Sequence, residues 1–371
     1  MGIKRNRGLL GKALLLLAIL FVVGVTVSGC GIRTQPRGWS GVTVADDALL
    51  VASVEGKLVA VNTSDGGRLW GASLGTSEVA IYGTPVVEGD LVYVGGYNGK
   101  VYLFSFGEDE PRRAYPFDRD LEPIVGGIVV SQGKLYFGCS DGKVYALDAA
   151  EVYKEWEFQT GDKIWSTPAT DGQTIYIGSF DKKLYALDAI DGSKKWEFEA
   201  GGALVSSPLV YGNTVYIGSF DRYLYAIDAG NGNLRWRSAI EAGKWFWAEP
   251  IAYNDVIYAP NLDGKVYILD AESGQEVADA VDLGSPISSS PVVTNEQVIV
   301  ASEEGKVHSV NTGNNQAKLL ATVTEKEKIY APLFASEGIV YIHTQASKHD
   351  TLYALNAETG VTLWSLSLTS E

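Results

Sequence analysis

The sequence predicts an all-β protein, an eight-bladed β-propeller of four-stranded antiparallel blades, from three observations. A pattern recurs about every 41 residues, each copy holds four strand-like segments, and no long helical period occurs in a chain with 42 glycines. Repeats of this length and content are typical of propeller blades. The clearest copies read YIGSFDKKLYALDAIDGSKKWEF at 176–198 and YIGSFDRYLYAIDAGNGNLRWRS at 216–238.

The second strand of each repeat gives the blade count. The position held by Tyr176 occurs eight times, at intervals of 40 to 43 residues. These copies fill the chain from residue 39 to its end, so we expect one closed ring and a monomer instead of several domains. The eight positions are Leu50, Tyr93, Tyr136, Tyr176, Tyr216, Tyr258, Ile299 and Tyr341.

Residues 1–30 precede the repeats and have the features of a secretion signal. A basic start is followed by an apolar run of about 15 residues and by Val27-Ser28-Gly29-Cys30. The last segment resembles the lipobox of bacterial lipoproteins, which implies cleavage before Cys30 and diacylation of its thiol. An uncleaved membrane helix is the alternative, but the run is shorter than the about 20 residues that a bilayer requires.

The expected mature protein is therefore a lipid-anchored propeller outside the cytoplasm. Residues 1–29 form the lipoprotein signal peptide, residues 30–38 the lipidated cysteine and a short tether, and residues 39–371 the propeller. The tether spans at most about 28 Å, so the propeller is expected to lie close to a bacterial membrane. The sequence does not distinguish between the possible membranes and leaflets. Of the 2 cysteines, Cys139 then has no disulfide partner and is expected to be a packed thiol.

The charge of the chain bears on its partners. The sequence has 30 Lys and Arg against 45 Asp and Glu, a net charge of −15. Removal of residues 1–29, which hold four cations and no acid, changes this to −19. Nucleic acid is disfavoured as a partner because its binding depends mainly on Lys and Arg contacts to phosphate. The membrane would be contacted through the lipid, and another envelope protein is the expected partner.

One repeat supplies the four strands of one blade. In the fifth repeat we predict strand A at Ser207–Val210, strand B at Thr214–Gly218, strand C at Tyr223–Asp228 and strand D at Asn233–Ser238. Aromatic and β-branched residues dominate strands B and C, as half-buried pleated positions favour. The turns between B and C carry residue pairs suited to tight hairpins, namely Asn98-Gly99, Asp141-Gly142 and Asp263-Gly264.

The turn between strands C and D carries the most specific pattern. Ala186, Asp188, Gly192 and Trp196 recur at the same spacing in other repeats, although the third repeat has Val152 at the glycine. The acid accepts backbone N–H bonds in the turn, and glycine supplies a left-handed residue. We expect the tryptophan to wedge between adjacent blades. The predicted structural docking tryptophans are Trp70, Trp156, Trp196, Trp236 and Trp364.

Together with the preceding VYIGS and LYALDA segments, this pattern resembles the tryptophan-docking repeat of the PQQ-like β-propeller family. The resemblance covers residues 39–371 and is specific in five repeats. Repeat two has the irregular segment SFGEDEPRRAYPFDRD at 105–120, and repeats six and seven have Ala278 and Leu319 in place of the tryptophan. Within the family the chain is most similar to the eight-bladed lipoprotein propellers of the β-barrel assembly machinery, which implies a non-enzymatic scaffold.

One face of the ring is expected to carry aromatic side chains. In an up-and-down blade the D-to-A loops and the B-to-C turns lie on the same face. The position eleven residues before each strand-B marker lies in a D-to-A loop and leads into strand A, the innermost strand. These rings would surround the mouth of the central channel, either as a binding surface or as packing between blades. The binding-face candidates are Trp39, Tyr82, Trp165, Trp247 and Tyr330 at this position, with Trp245 in the same loop.

Acidic residues at the tips of the B-to-C turns share this face, but Lys or Arg follows each within two residues. We therefore interpret them as solvated, neutralised turns and not as a cation site. On the opposite face, the segment 107–120 is either a functional loop or a distorted strand D. The tips are Glu55, Asp141, Asp181, Asp221, Asp263 and Glu304.

Two other function classes stay open beside a protein-binding scaffold. A quinoprotein dehydrogenase of the same family would require calcium carboxylate ligands, a catalytic Asp and commonly an adjacent cysteine pair, and the cysteine pair is absent. The 3 histidines do not have metal-ligand spacing. We therefore predict no catalytic residues, no metal and no cofactor. A glycan-binding surface lipoprotein is the second alternative, because aromatic surfaces also stack on sugars.

Overall fold

The computed structural model describes residues 37–74, 79–238, 241–324, 326–346 and 349–369. Within these ranges the regular elements are 32 β-strands, which form eight four-stranded antiparallel sheets. Each sheet takes four consecutive strands in chain order. The prediction of an all-β propeller with eight four-stranded blades is therefore confirmed. The predicted signal peptide at 1–29, the lipidation site Cys30 and the tether up to residue 36 lie outside the described residues.

The first four blades run from Val42 to Glu199. Their strands are β1 (Val42–Ala45), β2 (Ala48–Ala52), β3 (Lys57–Asn62), β4 (Arg68–Ser73), β5 (Val86–Glu88), β6 (Leu91–Gly95), β7 (Val101–Ser105), β8 (Arg113–Tyr115), β9 (Val129–Ser131), β10 (Lys134–Gly138), β11 (Lys143–Asp148), β12 (Lys154–Gln159), β13 (Ala169–Thr170), β14 (Thr174–Gly178), β15 (Lys183–Asp188) and β16 (Lys194–Glu199).

The last four blades run from Leu209 to Ser367. Their strands are β17 (Leu209–Tyr211), β18 (Thr214–Gly218), β19 (Leu224–Asp228), β20 (Leu234–Arg237), β21 (Ile251–Tyr253), β22 (Val256–Pro260), β23 (Lys265–Asp270), β24 (Glu276–Asp282), β25 (Val292–Thr294), β26 (Gln297–Ala301), β27 (Lys306–Asn311), β28 (Ala317–Thr322), β29 (Phe334–Ser336), β30 (Ile339–Gln345), β31 (Asp350–Asn356) and β32 (Thr362–Ser367).

The hydrophobic core lies between neighbouring blades. Strand β18 is buried along its whole length, whereas the outer strand β16 alternates between exposed and half-buried residues. One cluster joins Tyr176 and Ala186 of blade 4 to Ile217 of blade 5. Each blade therefore buries both faces of its middle strands only when a neighbour is present, and this explains why the ring is the folding unit. In the described ranges no helix is long and apolar enough to cross a membrane.

Tryptophan joins successive blades by docking on a glycine of the next blade. Gly192 has a φ of +74°, and a methyl group added there would lie 2.6 Å from the Trp156 ring. The Trp156 indole Nε1 donates a hydrogen bond of 3.3 Å to the carbonyl oxygen of Ala189 in the same turn. Trp196 docks on Gly232 and donates to Ala229, at 2.9 Å, in the same way. The repeated glycine therefore has two roles: it adopts the left-handed conformation of its own turn, and it leaves room for the indole ring of the neighbouring blade.

Blades that lack the tryptophan face a turn that lacks the glycine. Blade 2 has no tryptophan, and the third blade has Val152 at the glycine position, fully buried with a φ of +56°. Blade 6 has Ala278 instead of tryptophan, and the turn of blade 7 has Asn315 at a φ of +55°. The side chain of Val152 packs between blades 2 and 3. At these interfaces, the loss of the tryptophan from one blade is therefore accompanied by the loss of the glycine from the next blade.

Two interfaces depart from this rule. Trp70 faces the irregular turn of blade 2, packs near Phe104 and Phe106, and has a buried Nε1 without a partner among the described residues. In blade 7 the assignment of Leu319 to the tryptophan position is wrong: Leu319 is 52% exposed, and Leu320 packs at Gly360 instead. The reason is a β-bulge between Val307 and His308, which shifts the pairing of β27 with β28. In blade 8 the corresponding bulge lies elsewhere along the strand, between Ala354 and Leu355.

The same docking interaction closes the ring. Trp364 of blade 8 packs on Gly66 of blade 1, and its Nε1 donates to the carbonyl oxygen of Thr63 at 2.9 Å. Arg68 adds hydrogen bonds of 2.8 Å to the carbonyl oxygens of Ser367 and Leu368. Blades 1 and 8 are each built from one continuous segment. Closure therefore needs no exchange of strands, as the blade count allows.

A buried histidine–aspartate pair strengthens the closure on the inner side. His343 Nε2 lies 3.0 Å from Asp350 Oδ2, and His343 Nδ1 lies 2.8 Å from the carbonyl oxygen of Ser40. The N–H of Val54 donates to the same Asp350 oxygen at 2.8 Å. Because Ser40 contributes its carbonyl oxygen and not its hydroxyl, these residues do not form a nucleophilic triad.

Replacement of Gly192 by alanine tests the docking interaction. We expect Gly192→Ala to lower the free energy of unfolding by about 1–3 kcal/mol more than Gly212→Ala, because the new methyl group overlaps the Trp156 ring. Gly212 is a matched control, since its φ is +59° and nothing lies within 4 Å of an added methyl group. Urea unfolding of both variants gives the difference, and equal losses would show that only the backbone conformation matters.

Candidate functional site

The D-to-A loops and B-to-C turns lie on one face of the ring, as predicted. Trp165 of a D-to-A loop contacts Phe180 of a B-to-C turn, with ring centroids 4.8 Å apart. The N–H of Gly161 donates to the carboxylate of Asp181 at 2.6 Å across the same two types of connection. This face carries the candidate site and is called the loop face below.

The eight positions that precede strand A meet around a single cavity at the centre of the loop face. The cavity has a volume of about 100 Å³ and is called the axial cavity. Because each blade contributes the same position, the repeat itself forms the wall. The eight residues are Trp39, Tyr82, Val125, Trp165, Val205, Trp247, Ser288 and Tyr330.

The binding-face candidates differ in how much surface they leave open. Trp39 and Tyr82 are only 9% and 4% exposed and pack edge to face, with centroids 4.5 Å apart. Trp165, Trp247 and Tyr330 are half-buried and line the same cavity. Packing therefore accounts for Trp39 and Tyr82, whereas the other three rings also present surface.

Trp245 lies beside the axial cavity and not in its wall. Its ring stacks on Phe220 at 4.4 Å with an angle of 13° between planes, and Phe220 also stacks near Trp247 at 6.2 Å. Tyr97, Phe180 and Phe220 extend the aromatic surface from the B-to-C turns. The sequence analysis missed these three residues, although each stands four residues after its strand-B marker. A search of that position would have found them.

Glu249 is the cavity-lining carboxylate that the sequence analysis missed. It lines the axial cavity two residues after Trp247. The same place in other blades holds Thr167, Ser207 and Ser290, which accept hydrogen bonds from the preceding blade, as in the 2.7 Å bond from the Gly127 N–H to Thr167 Oγ1. A carboxylate in a position of small hydroxyl residues was the signal that the sequence offered.

Glu249 is half-buried in a wall of aromatic and hydroxyl residues that lacks a countercharge. Among the described residues its carboxylate has no hydrogen-bond or ion-pair partner, and no Lys, Arg or His lines the cavity. Burial raises the pKa of Glu249 to about 7, and no neighbouring charge contributes to this shift. Burial also raises the pKa of Tyr330, to about 12, and that of Tyr82. Glu249 is therefore the group in the wall that titrates near neutral pH.

The hydroxyl group of Tyr82 adds a second polar atom without a partner. It is buried and has no hydrogen-bond acceptor or donor among the described residues. Buried polar groups are normally hydrogen-bonded, so an unpaired one is an exception to the usual packing. The Tyr82 hydroxyl is closed off within the packing of the wall, so the polar groups that the axial cavity presents are the Glu249 carboxylate and the hydroxyl residues of its lining.

The acidic tips of the B-to-C turns are structural, but not for the reason expected. Asp141 accepts hydrogen bonds from the Tyr145 hydroxyl at 2.6 Å and from the Lys143 N–H at 2.9 Å. The Lys143 ammonium pairs with Glu157 of strand β12 instead, at 2.6 Å. The prediction that the following lysine neutralises each acidic tip is confirmed for Glu55, which pairs with Lys57 at 2.9 Å. The same prediction is wrong for Asp141. The four aspartate tips are held in this way by backbone N–H and tyrosine hydroxyl donors.

The residues of the axial cavity do not fit a quinone cofactor with its calcium ion. An engineered cavity of about 150 Å³ holds benzene, and pyrroloquinoline quinone is a much larger tricyclic tricarboxylate. Its carboxylates would face Glu249 without a compensating cation. The wall offers one carboxylate as a calcium ligand, where a site normally supplies several oxygens. In the parts of the chain that the structure describes, no three His, Cys, Asp or Glu residues are grouped to hold a metal ion.

Two further features, the segment 107–120 and Cys139 at the start of a B-to-C turn, take structural roles. In the segment 107–120 the only strand is the short β8, and Arg113 pairs with Glu151 of blade 3 at 2.5 Å. This agrees with a distorted strand D. The Cys139 thiol is fully buried, contacts the carbonyl oxygen of Glu122 at 3.1 Å, and has its pKa raised by burial. It is a packed thiol.

Comparison with known proteins gives a consistent relationship. A PQQ-like family model described as "Outer membrane protein assembly factor BamB" matches residues 32–163 and 140–366. An outer membrane protein assembly factor BamB from Kangiella koreensis is 25% identical over 138 residues, which cover 35% of this chain and 32% of that protein. The matched region thus spans about a third of that relative.

Solved structures share the fold. BamB from Moraxella catarrhalis superposes with a TM-score of 0.68 at 18% identity, over 92% of this chain and 96% of that one. The computationally designed Ika8 protein superposes with a TM-score of 0.74 at 13% identity, over 86% of this chain and 97% of that one. At these identities the superpositions speak for the propeller fold alone.

Glu249→Gln tests the environment of the cavity through the pH dependence of stability. A carboxylate whose folded pKa is raised to about 7 lowers stability as the pH rises from about 4.5 to 7, because the unfolded chain ionises first. We expect the variant to exceed wild type in unfolding free energy by about 1–3 kcal/mol at pH 8 and by almost nothing at pH 4. Urea unfolding at both pH values measures this. The exposed Glu272→Gln is the control, and a gain independent of pH would contradict the assignment.

Proposed function

Because this chain belongs to the PQQ-like propeller family described as outer membrane protein assembly factor BamB, we propose that it is a non-enzymatic scaffold. In this role it binds another protein of the bacterial envelope and assists the assembly of outer-membrane proteins. The observation that carries the proposal is the family match over residues 32–163 and 140–366. The name of the Kangiella koreensis relative agrees with it.

The proposal includes a lipid anchor at Cys30. Its support is the basic start, the apolar run and the segment Val27-Ser28-Gly29-Cys30 in the sequence. The diacylated cysteine and the tether to residue 38 would hold the propeller near the membrane, outside the cytoplasm. The net negative charge gives the domain little attraction to anionic headgroups, so the lipid supplies the membrane affinity.

The loop face is the proposed surface for the protein partner. Trp165, Trp247 and Trp245 are half-buried, and they stand on loops held by eight rigid blades. Large aromatic rings bury much area for little loss of conformational entropy and are enriched among binding hot spots. A rigid scaffold also limits the entropy lost when the loops bind. The single function of the face would be recognition without chemistry.

Cross-linking in intact cells tests the scaffold and its anchor together. We expect the wild-type protein in the membrane fraction to cross-link to an envelope protein, and the double variant Trp165→Ala/Trp247→Ala to lose at least about tenfold of that product. Tyr153→Ala is the matched control, because Tyr153 is 52% exposed in a C-to-D turn on the opposite face. Cys30→Ala should leave the membrane fraction.

Three results would contradict the proposal. Unchanged cross-links in the double variant would move the partner off the loop face. Retention of Cys30→Ala in the membrane fraction would exclude the lipid anchor. Recovery of polysaccharide and no protein, with loss in the double variant, would favour a glycan-binding role instead. Circular dichroism of the double variant checks that its propeller is folded.

A further inference from the structure

The composition of the axial cavity wall indicates which chemistry it recognises. Five of its eight ring positions are aromatic, and the carboxylate of Glu249 is the sole charge on its described lining. A cation placed over aromatic faces gains about 0.5–2 kcal/mol, most when water is excluded. A carboxylate in the same enclosed space adds a strong electrostatic attraction, because the effective dielectric constant there is low. An anionic or neutral ligand would gain neither contribution.

The volume of the cavity limits the size of that cation. About 100 Å³ is less than the about 150 Å³ that holds benzene. It accommodates an ammonium or guanidinium group and the end of its alkyl chain. It does not accommodate a nucleotide or a fused-ring cofactor. A lysine or arginine side chain that enters from the loop face satisfies both the charge and the size.

The chain itself shows that rings on this face accept an ammonium group. Lys163 Nζ lies 4.6 Å from the centroid of Trp165 and 4.5 Å from that of Phe180. Lys163 is not part of the cavity lining, so it leaves the Glu249 carboxylate without a partner. Among the described residues, no cationic side chain lines the cavity beside Glu249.

We propose that the axial cavity binds a lysine or arginine side chain from a loop of a protein partner, held between the Glu249 carboxylate and the rings of Trp165, Trp247 and Tyr330. The inference rests on the proposed scaffold function and specifies how the loop face would recognise its partner. Charge complementarity is its main argument: the carboxylate is unpaired and the chain carries a net charge of −15.

The same geometry implies that binding depends on pH. Glu249 attracts a cation only when it is ionised, and burial raises its pKa to about 7. The other titratable groups in the wall are the phenols of Tyr82 and Tyr330, whose pKa values are also raised and which stay neutral below pH 9. Behind the wall, the Glu303 carboxyl contacts Ser288 and acts on Tyr330, and burial raises the pKa of Glu303 too, but among the described residues only Glu249 carries a charge on the lining itself. Affinity for a cation should therefore increase as the pH rises through 7.

Titration with n-butylammonium, which reproduces the end of a lysine side chain, tests the site. Tryptophan fluorescence and nuclear magnetic resonance line shifts measure binding at constant ionic strength, and n-butanol is the neutral comparison. We expect saturable binding of butylammonium and none of butanol, a loss of at least about tenfold in affinity for Glu249→Gln, and affinity at least about tenfold lower at pH 5.5 than at pH 8. Glu272→Gln should bind like wild type.

The partner is tested with the same isosteric variant in the cellular cross-linking experiment. Loss of the envelope-protein product in Glu249→Gln, together with loss of butylammonium binding, supports the proposal. Equal binding of butylammonium by wild type and Glu249→Gln overturns it, as does equal binding of butanol. An envelope product that survives in Glu249→Gln overturns it too, while the scaffold function stands. The scaffold function fails separately, if the wild-type protein yields no envelope product at all.

Discussion

Four of the eight interfaces between neighbouring blades depend on the same contact, an indole ring packed on a left-handed glycine. The ring of Trp156 covers the turn at Gly192 so closely that a methyl group would overlap it, and the indole N–H binds the carbonyl oxygen of the same turn. Because a single blade cannot bury its own faces, this contact fixes the spacing at which blades exclude water. Its last copy, Trp364 on Gly66, joins the ends of the chain. The ring is therefore closed by the interaction that builds it.

The ring tolerates local departures from the repeat, and these departures lie in the turns and loops between strands. Where the tryptophan is absent, Val152 or Asn315 takes the glycine position and the turn keeps its left-handed conformation. At the centre of the loop face, Glu249 replaces a small hydroxyl residue that elsewhere links blades. The buried carboxylate is unfavourable for stability near neutral pH. This exception to a regular scaffold is the observation from which we propose a recognition role for Glu249.

Much of the fold could be predicted because the repeat carries it. Strand β18 begins and ends at the residues that the pattern predicts, Thr214 and Gly218, since turn chemistry and alternation are local signals. The convergence of eight equivalent positions around the axis followed from the connectivity. Features formed between repeats were not predictable in this way. The glycine that contacts Trp156 lies in the next blade. The β-bulge that places Leu320 at the blade interface, where Leu319 was expected, depends on local packing. The pair of His343 and Asp350 contacts residues of blade 1 only when the ring closes. Glu249 was missed because its one sequence signal, a carboxylate where several other repeats have Ser or Thr, does not show that the position lines a cavity.

A double-mutant cycle on another copy of the docking contact tests the account most directly. Gly232→Ala is measured by urea unfolding in the wild-type protein and in Trp196→Ala, since a methyl group at Gly232 would lie 2.7 Å from the Trp196 ring. If the glycine is required by the neighbour's indole, most of the loss caused by Gly232→Ala disappears once the indole is removed, leaving the about 1 kcal/mol of a left-handed alanine. A loss of the same size in both backgrounds would contradict the account, because the glycine would then serve its own turn alone.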